Sequence, residues 1–133
     1  ETLGRQQQAT GAALILIGHD IGLMAQFVDR LAVMYAGRIV EIGTIREVIE
    51  TPRHPYAQAL VASVPRLARR GELHGIAGVT PSLRRLPEGC AFHPRCTRAI
   101  DRCRRERPAL DGALGDHRAA CHLLADTMPE RAA

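Results

Sequence analysis

The chain has 133 residues, 46% of them hydrophobic and 24% charged, a composition that supports a modest packed core and excludes a fibrous repeat or a wholly disordered tail. Its longest unbroken apolar run, residues 12–17, falls far short of the ~18 residues that cross a bilayer, and its first residues lack the basic and apolar regions of a secretion signal, so a cytosolic chain is expected. The net charge of +4 comes from arginine alone, and aromatic residues are only 3% with no Trp, so stacking platforms for single-stranded nucleic acid are nearly absent and no nucleic-acid partner is expected.

Residues 1–10 suit the end of a helix that Gly11 can stop in the left-handed conformation. Ala13 to Ile17 is a short, branched, continuously apolar run between Gly11 and Gly18. It reads as a strand buried on both faces of a parallel sheet. His19 and Asp20 then emerge at its carboxyl end, where open α/β sheets place their ligands. Asp20 can also cap a helix over Ile21 to Asp29, with Leu23 and Phe27 on its buried face.

Leu31 to Tyr35 and Arg38 to Ile42 read as two strands of a tight hairpin turning at Ala36-Gly37. Thr44 and Glu47 have capping-box spacing and predict a short helix over Ile45 to Glu50. Pro55 suits the first turn of a further helix, Tyr56 to Val64, that Pro65 ends. From Arg66 onward Gly71, Gly75, Gly78, Pro81 and Pro87 interrupt the pattern, which places a boundary near Leu67 and an extended segment up to Glu88. Residues 1–66 and 67–133 are thus expected to form two units. The first is near neutral through Val64, whereas the basic excess lies between Arg66 and Arg118.

The second unit also holds every cysteine: Cys90, Cys96, Cys103 and Cys121, spaced C-x5-C-x6-C-x17-C. Four thiolates close either an iron-sulfur cluster or a tetrahedral zinc site, and disulfides are disfavoured in a reducing compartment. Buried free thiols are the plain alternative. His93, His117 and His122 could substitute as ligands but read better as surface or hydrogen-bonding residues. The lobe reads as too small and polar for a core of its own, which would give a metal the task of ordering it. Arg95, Arg98, Arg102, Arg104 and Arg105 either balance a negative site or solvate short helical segments around residues 99–105.

LILIGHDIGLMAQFVDRLAVMYAGRIVEIGTIREVIETPRHPYAQALVASVPRL resembles the end of the ATP-binding subunit of ABC transporters of the dipeptide, oligopeptide and nickel import group. TPSLRRLPEGCAFHPRCTRAIDRCRRERPAL, followed by HRAAC, resembles the C-terminal extension of those peptide transporters. Gly18 stands where the group usually has Thr or Ser, and Thr97 where Pro is common. The resemblance implies an α/β fold: the carboxyl-terminal part of a P-loop NTPase (ABC-type) nucleotide-binding domain plus a small irregular cysteine-bearing extension.

It further implies that His19 is the switch-loop histidine, acting on the ATP γ-phosphate and the attacking water in an intact subunit. It implies a [4Fe-4S] cluster on Cys90, Cys96, Cys103 and Cys121, with zinc as the alternative. The expected partners are transmembrane permease subunits and a second ATP-binding subunit, and the expected place is the cytoplasmic face of the plasma membrane. No G-x-x-x-x-G-K-S/T loop, LSGGQ-like signature or magnesium-binding Asp-Glu pair occurs in the sequence. The chain by itself is therefore expected to be inactive towards ATP and Mg2+. The competing expectation is a stand-alone iron-sulfur or zinc module with a basic interaction surface.

Overall fold

In the computed structural model, which describes residues 2–64, 75–110 and 115–127, the frame is a three-stranded antiparallel sheet. Its first two strands, β1 (Arg30–Tyr35) and β2 (Arg38–Thr44), form the expected hairpin. Ala36 and Gly37 have φ of 49° and 77°, the pair of positive values that lets a two-residue turn follow the right-handed twist of its strands. β1 alternates, so Leu31, Val33 and Tyr35 are buried.

The pairing shifts between Val33 and Met34, which face Glu41 and Ile39 and leave Val40 as the extra residue of a bulge. Both Val40 and Glu41 are buried there, although they are neighbours in a strand. The free edge of β2 pairs with a short third strand, β3 (Arg118–Ala119), through Glu41 and Ile42. Two residues carry no readable period, and this strand was not foreseen in the sequence.

Helix α1 (Thr2–Thr10) ends at Gly11, whose φ is 64° and whose N–H donates to the Gln7 carbonyl at 2.8 Å. Helix α2 (Ile21–Met24) starts where expected, with Asp20 accepting the Leu23 N–H at 2.9 Å, but is a single turn and does not reach Asp29. Leu23 and Phe27 are 53% and 42% exposed, so the apolar face that would stabilise a longer helix is only partly covered by the described residues. Helix α3 (Ile45–Glu50) has the full Thr44–Glu47 capping box. Helix α4 (Pro55–Ala62) has Pro55 in its first turn and His54 as its cap. Pro65 and the boundary near Leu67 lie outside the described residues.

The strand expected over Ala13 to Ile17 is absent. These residues have no regular structure, and Ile15 and Ile17 are 87% and 92% exposed. A doubly buried parallel strand needs neighbours on both edges and cover on both faces, and among the described residues the sheet has only β1, β2 and β3. The run has the sequence of a buried strand without the partners that would bury it.

The core gathers Ile21, Leu31, Val33, Tyr35, Val40, Val48, Ala57 and Phe92, with Ile76, Cys90, Ala91 and Cys96 packed against it. It therefore draws on both sides of residue 67. Phe92 is 3% exposed and lies within a ring cluster with Tyr35 (5.2 Å), Tyr56 (5.4 Å) and His54 (5.9 Å). The cysteine lobe, expected to lack a core of its own, inserts Phe92 into the core of the hairpin and helices.

Candidate functional site

His19 stands one residue before the Asp20 cap, exposed, and its imidazole makes no hydrogen bond or ion pair among the described residues. It is held in place only through the backbone leading into α2. Such a side chain can reach a ligand brought to it, but nothing within the described residues supplies a phosphate cradle around it.

The cysteine lobe is built from short pieces. A 3-10 turn, His93–Arg95, separates Cys90 from Cys96, helix α5 (Asp101–Arg105) carries Cys103, and Cys121 follows β3. The Cys90 N–H donates to the Cys103 carbonyl at 2.9 Å, stitching the start of the lobe to α5. Gly89 makes that approach feasible: its φ is 67°, and a Cβ there would lie 2.3 Å from the Cys103 carbonyl oxygen.

All four thiols are free. Burial raises the Cys90 and Cys121 pKa values above that of an ordinary thiol, and the neighbouring cysteines add to the rise in both. The thiols are thus close enough to sense one another, and the two carry protons as folded. Among the described residues, however, no three His, Cys, Asp or Glu side chains are gathered into a group that could hold a metal ion. The donor chemistry fits a thiolate-bound group, whereas the folded arrangement presents no ready-made site.

Each of the three histidines considered as substitute ligands has one ring nitrogen engaged in the fold. His93 Nδ1 hydrogen-bonds the Cys90 carbonyl at 3.0 Å, and His122 Nε2 the Glu106 carbonyl at 2.9 Å. His117 is 2% exposed and reaches the fully buried Glu41 at 2.7 Å. The Glu41 carboxylate also accepts the Arg53 N–H at 2.9 Å and the His54 N–H at 2.7 Å, while the Arg53 guanidinium donates to the His117 carbonyl. This network joins β2, the loop before α4 and the loop before β3. A carboxylate inside a strand rich in apolar residues was the available sequence signal, and it went unread because an alternating strand allows Glu an exposed position.

Arg95 makes a second fastening. Its guanidinium donates to the Ile76 and Ala77 carbonyls, each at 2.8 Å, and to Thr80 Oγ1 at 3.1 Å. The extended segment expected before the lobe is thereby tied to the lobe itself.

Residues 40–103 match the family described as Oligopeptide/dipeptide transporter, C-terminal region. The chain is similar to that region over these residues. It is 42% identical over 127 residues to the dipeptide transport ATP-binding protein DppD of Escherichia coli, a match covering 95% of this chain and 39% of that protein. It is 44% identical over 123 residues to the oligopeptide transport ATP-binding protein OppD of Mycobacterium tuberculosis, covering 91% of this chain and 20% of the relative. A relative from Brucella ovis, 41% identical over 128 residues, is spanned to 38% of its length. The chain is thus about two fifths or less of these relatives. The matched region starts at Val40 and ends at Cys103, so it takes in the bulge, Glu41, α3, α4 and Cys90, Cys96 and Cys103, and leaves His19 and Cys121 outside.

Proposed function

We propose that this chain is the carboxyl-terminal part of an ATP-hydrolysing subunit that powers import of dipeptides or oligopeptides, working with transmembrane permease subunits and a second ATP-binding subunit at the cytoplasmic face of the membrane. The observation that carries this reading is similarity along 91–95% of the chain to subunits named for dipeptide and oligopeptide transport. ATP and Mg2+ would bind elsewhere in the intact subunit, where phosphate-loop elements supply most ground-state affinity. His19 would act on the γ-phosphate and the attacking water, a contribution to the transition state. Its exposed, unengaged imidazole supports that role. The stand-alone metal-module reading is not carried forward, because the similarity runs to ATP-binding subunits. The test is reconstitution of the intact subunit with its permease partners and measurement of ATP-dependent uptake of a labelled dipeptide and a labelled pentapeptide. Uptake of either supports the reading; ATP hydrolysis without uptake of any peptide contradicts it.

Within that function, Cys90, Cys96, Cys103 and Cys121 would hold one [4Fe-4S] cluster, with zinc as the alternative, and the bound group would cross-link the lobe. Four free thiols that sense one another support this, although they must close up to ligate. Anaerobic purification with iron, zinc and acid-labile sulfide analysis decides it. Four iron and four sulfide per chain are expected; stoichiometric zinc without sulfide, or no metal, overturns the cluster.

A further inference from the structure

Between the hairpin and the cysteine lobe lies a cleft of about 450 Å3, within the size range of small-molecule sites. Its floor is the aromatic group Tyr35, His54 and Phe92, which are 4%, 1% and 3% exposed. Ile39, Leu86 and Leu110 add aliphatic wall. Among the described residues no Asp or Glu lines the cleft, and the cationic side chains that line it are Arg38, at the start of β2, and Arg107, just past α5.

Other arginines have work in the fold that these two lack. Arg30 and Arg46 pair with acids, Arg95 clamps the extended segment, and Arg102 pairs with Glu106. The exposed guanidinium groups of Arg38 and Arg107 make no hydrogen bond or ion pair among the described residues. An apolar floor with acid-free, unengaged positive charge at its rim selects for an amphiphile carrying a negative end. His54 adds no charge, because burial lowers its pKa to about 4.

We propose that this cleft binds a small carboxylate with an apolar body, the body lying over Tyr35 and Phe92 and the carboxylate meeting Arg38 and Arg107. The same chemistry is found in a short aliphatic acid and in the C-terminus of an apolar dipeptide. The exposed apolar run at Leu14, Ile15 and Ile17 offers apolar contact too, but has neither enclosure nor adjacent unpaired arginine. The proposal does not rest on the transport reading, since it uses only the cleft's own residues.

The test is an NMR titration of the isotope-labelled full chain at neutral pH with octanoate, with N-acetyl-Leu-Phe, and with octanol as the uncharged counterpart, all below micelle-forming concentrations. Saturable binding by at least one of the two acids is expected, with shifts at Tyr35 and Phe92 and an affinity roughly tenfold above that of octanol, as one charge-assisted interaction supplies. Which acid binds identifies the source. The double variant Arg38→Gln, Arg107→Gln changes only exposed side chains, so its melting temperature should match the parent's while the preference over octanol disappears. Equal binding of acid and alcohol, full retention of the preference in the double variant, shifts confined to residues 14–27, or no saturable binding would each overturn the proposal.

Discussion

Glu41 and His117, 76 positions apart in sequence, meet at 2.7 Å with side chains 0% and 2% exposed. Because the carboxylate can only accept, His117 Nε2 carries the proton in this contact. Three N–H donors converge on one buried group: His117 Nε2 and the Arg53 and His54 backbones. The lobe after residue 115 is thus fastened to β2 by an acceptor that solvent does not replace.

Removing that acceptor should destabilise the fold more than any surface change. Glu41→Ala strands three donors, each costing about 1–3 kcal/mol when left unpaired in the interior, so a loss of at least about 3 kcal/mol is expected. Glu41→Gln should be nearly as damaging, because its amide nitrogen would face a donor. Urea unfolding of both variants checks this; a Gln variant as stable as the parent would show that the carboxylate is not needed.

His54 predicts a pH dependence whose sign follows from its burial. Desolvation lowers its pKa from 6.5 to about 4, so below pH 6.5 the unfolded chain takes up a proton that the folded chain refuses until pH 4. Stability is retained above pH 6.5 and lost as pH falls, by about 2 kcal/mol between pH 7 and pH 5. His54 Nδ1 accepts the Tyr56 N–H at 3.0 Å, capping α4. His54→Asn keeps a capping acceptor without titrating. The difference in unfolding free energy between the two pH values should therefore shrink by about that amount in the variant; an unchanged difference would place the titration elsewhere.

Arg95 should control the extended segment locally rather than the fold globally. Its contacts to Ile76, Ala77 and Thr80 are absent in Arg95→Ala, and Lys lacks the planar fork that serves two carbonyls together. Amide exchange over residues 75–80 should rise in both variants, by at least about tenfold for Ala as one charged hydrogen bond's worth of protection is lost. Exchange in β1 and β2 should be unaltered. Equal protection in parent and variants would show that the segment is held by other contacts.

How far the sequence was readable follows from whether each signal was local. The turn at Ala36-Gly37, the Thr44–Glu47 box and the Pro55 start of α4 need only adjacent residues, and all three formed as expected. Ala13 to Ile17 and the far part of α2 depend on partners along their edges or faces, and neither element formed among the described residues. The bulge at Val40, the insertion of Phe92 and the Glu41–His117 contact arise from tertiary packing that no single stretch encodes. Of the candidate site, the cysteines and His19 were legible as residue types and spacing. Their surroundings were not, because the lobe's two fastenings use side chains whose chemistry is ordinary until they are buried together.

The most direct test of the central claim is ATP turnover by the intact subunit in its transporter, with His19→Ala as the single change. If His19 acts on the γ-phosphate and attacking water, turnover should fall at least about a hundredfold while Mg-ATP affinity stays close to the parent's, since the lost interaction belongs to the transition state. Parental turnover in the variant would contradict the account.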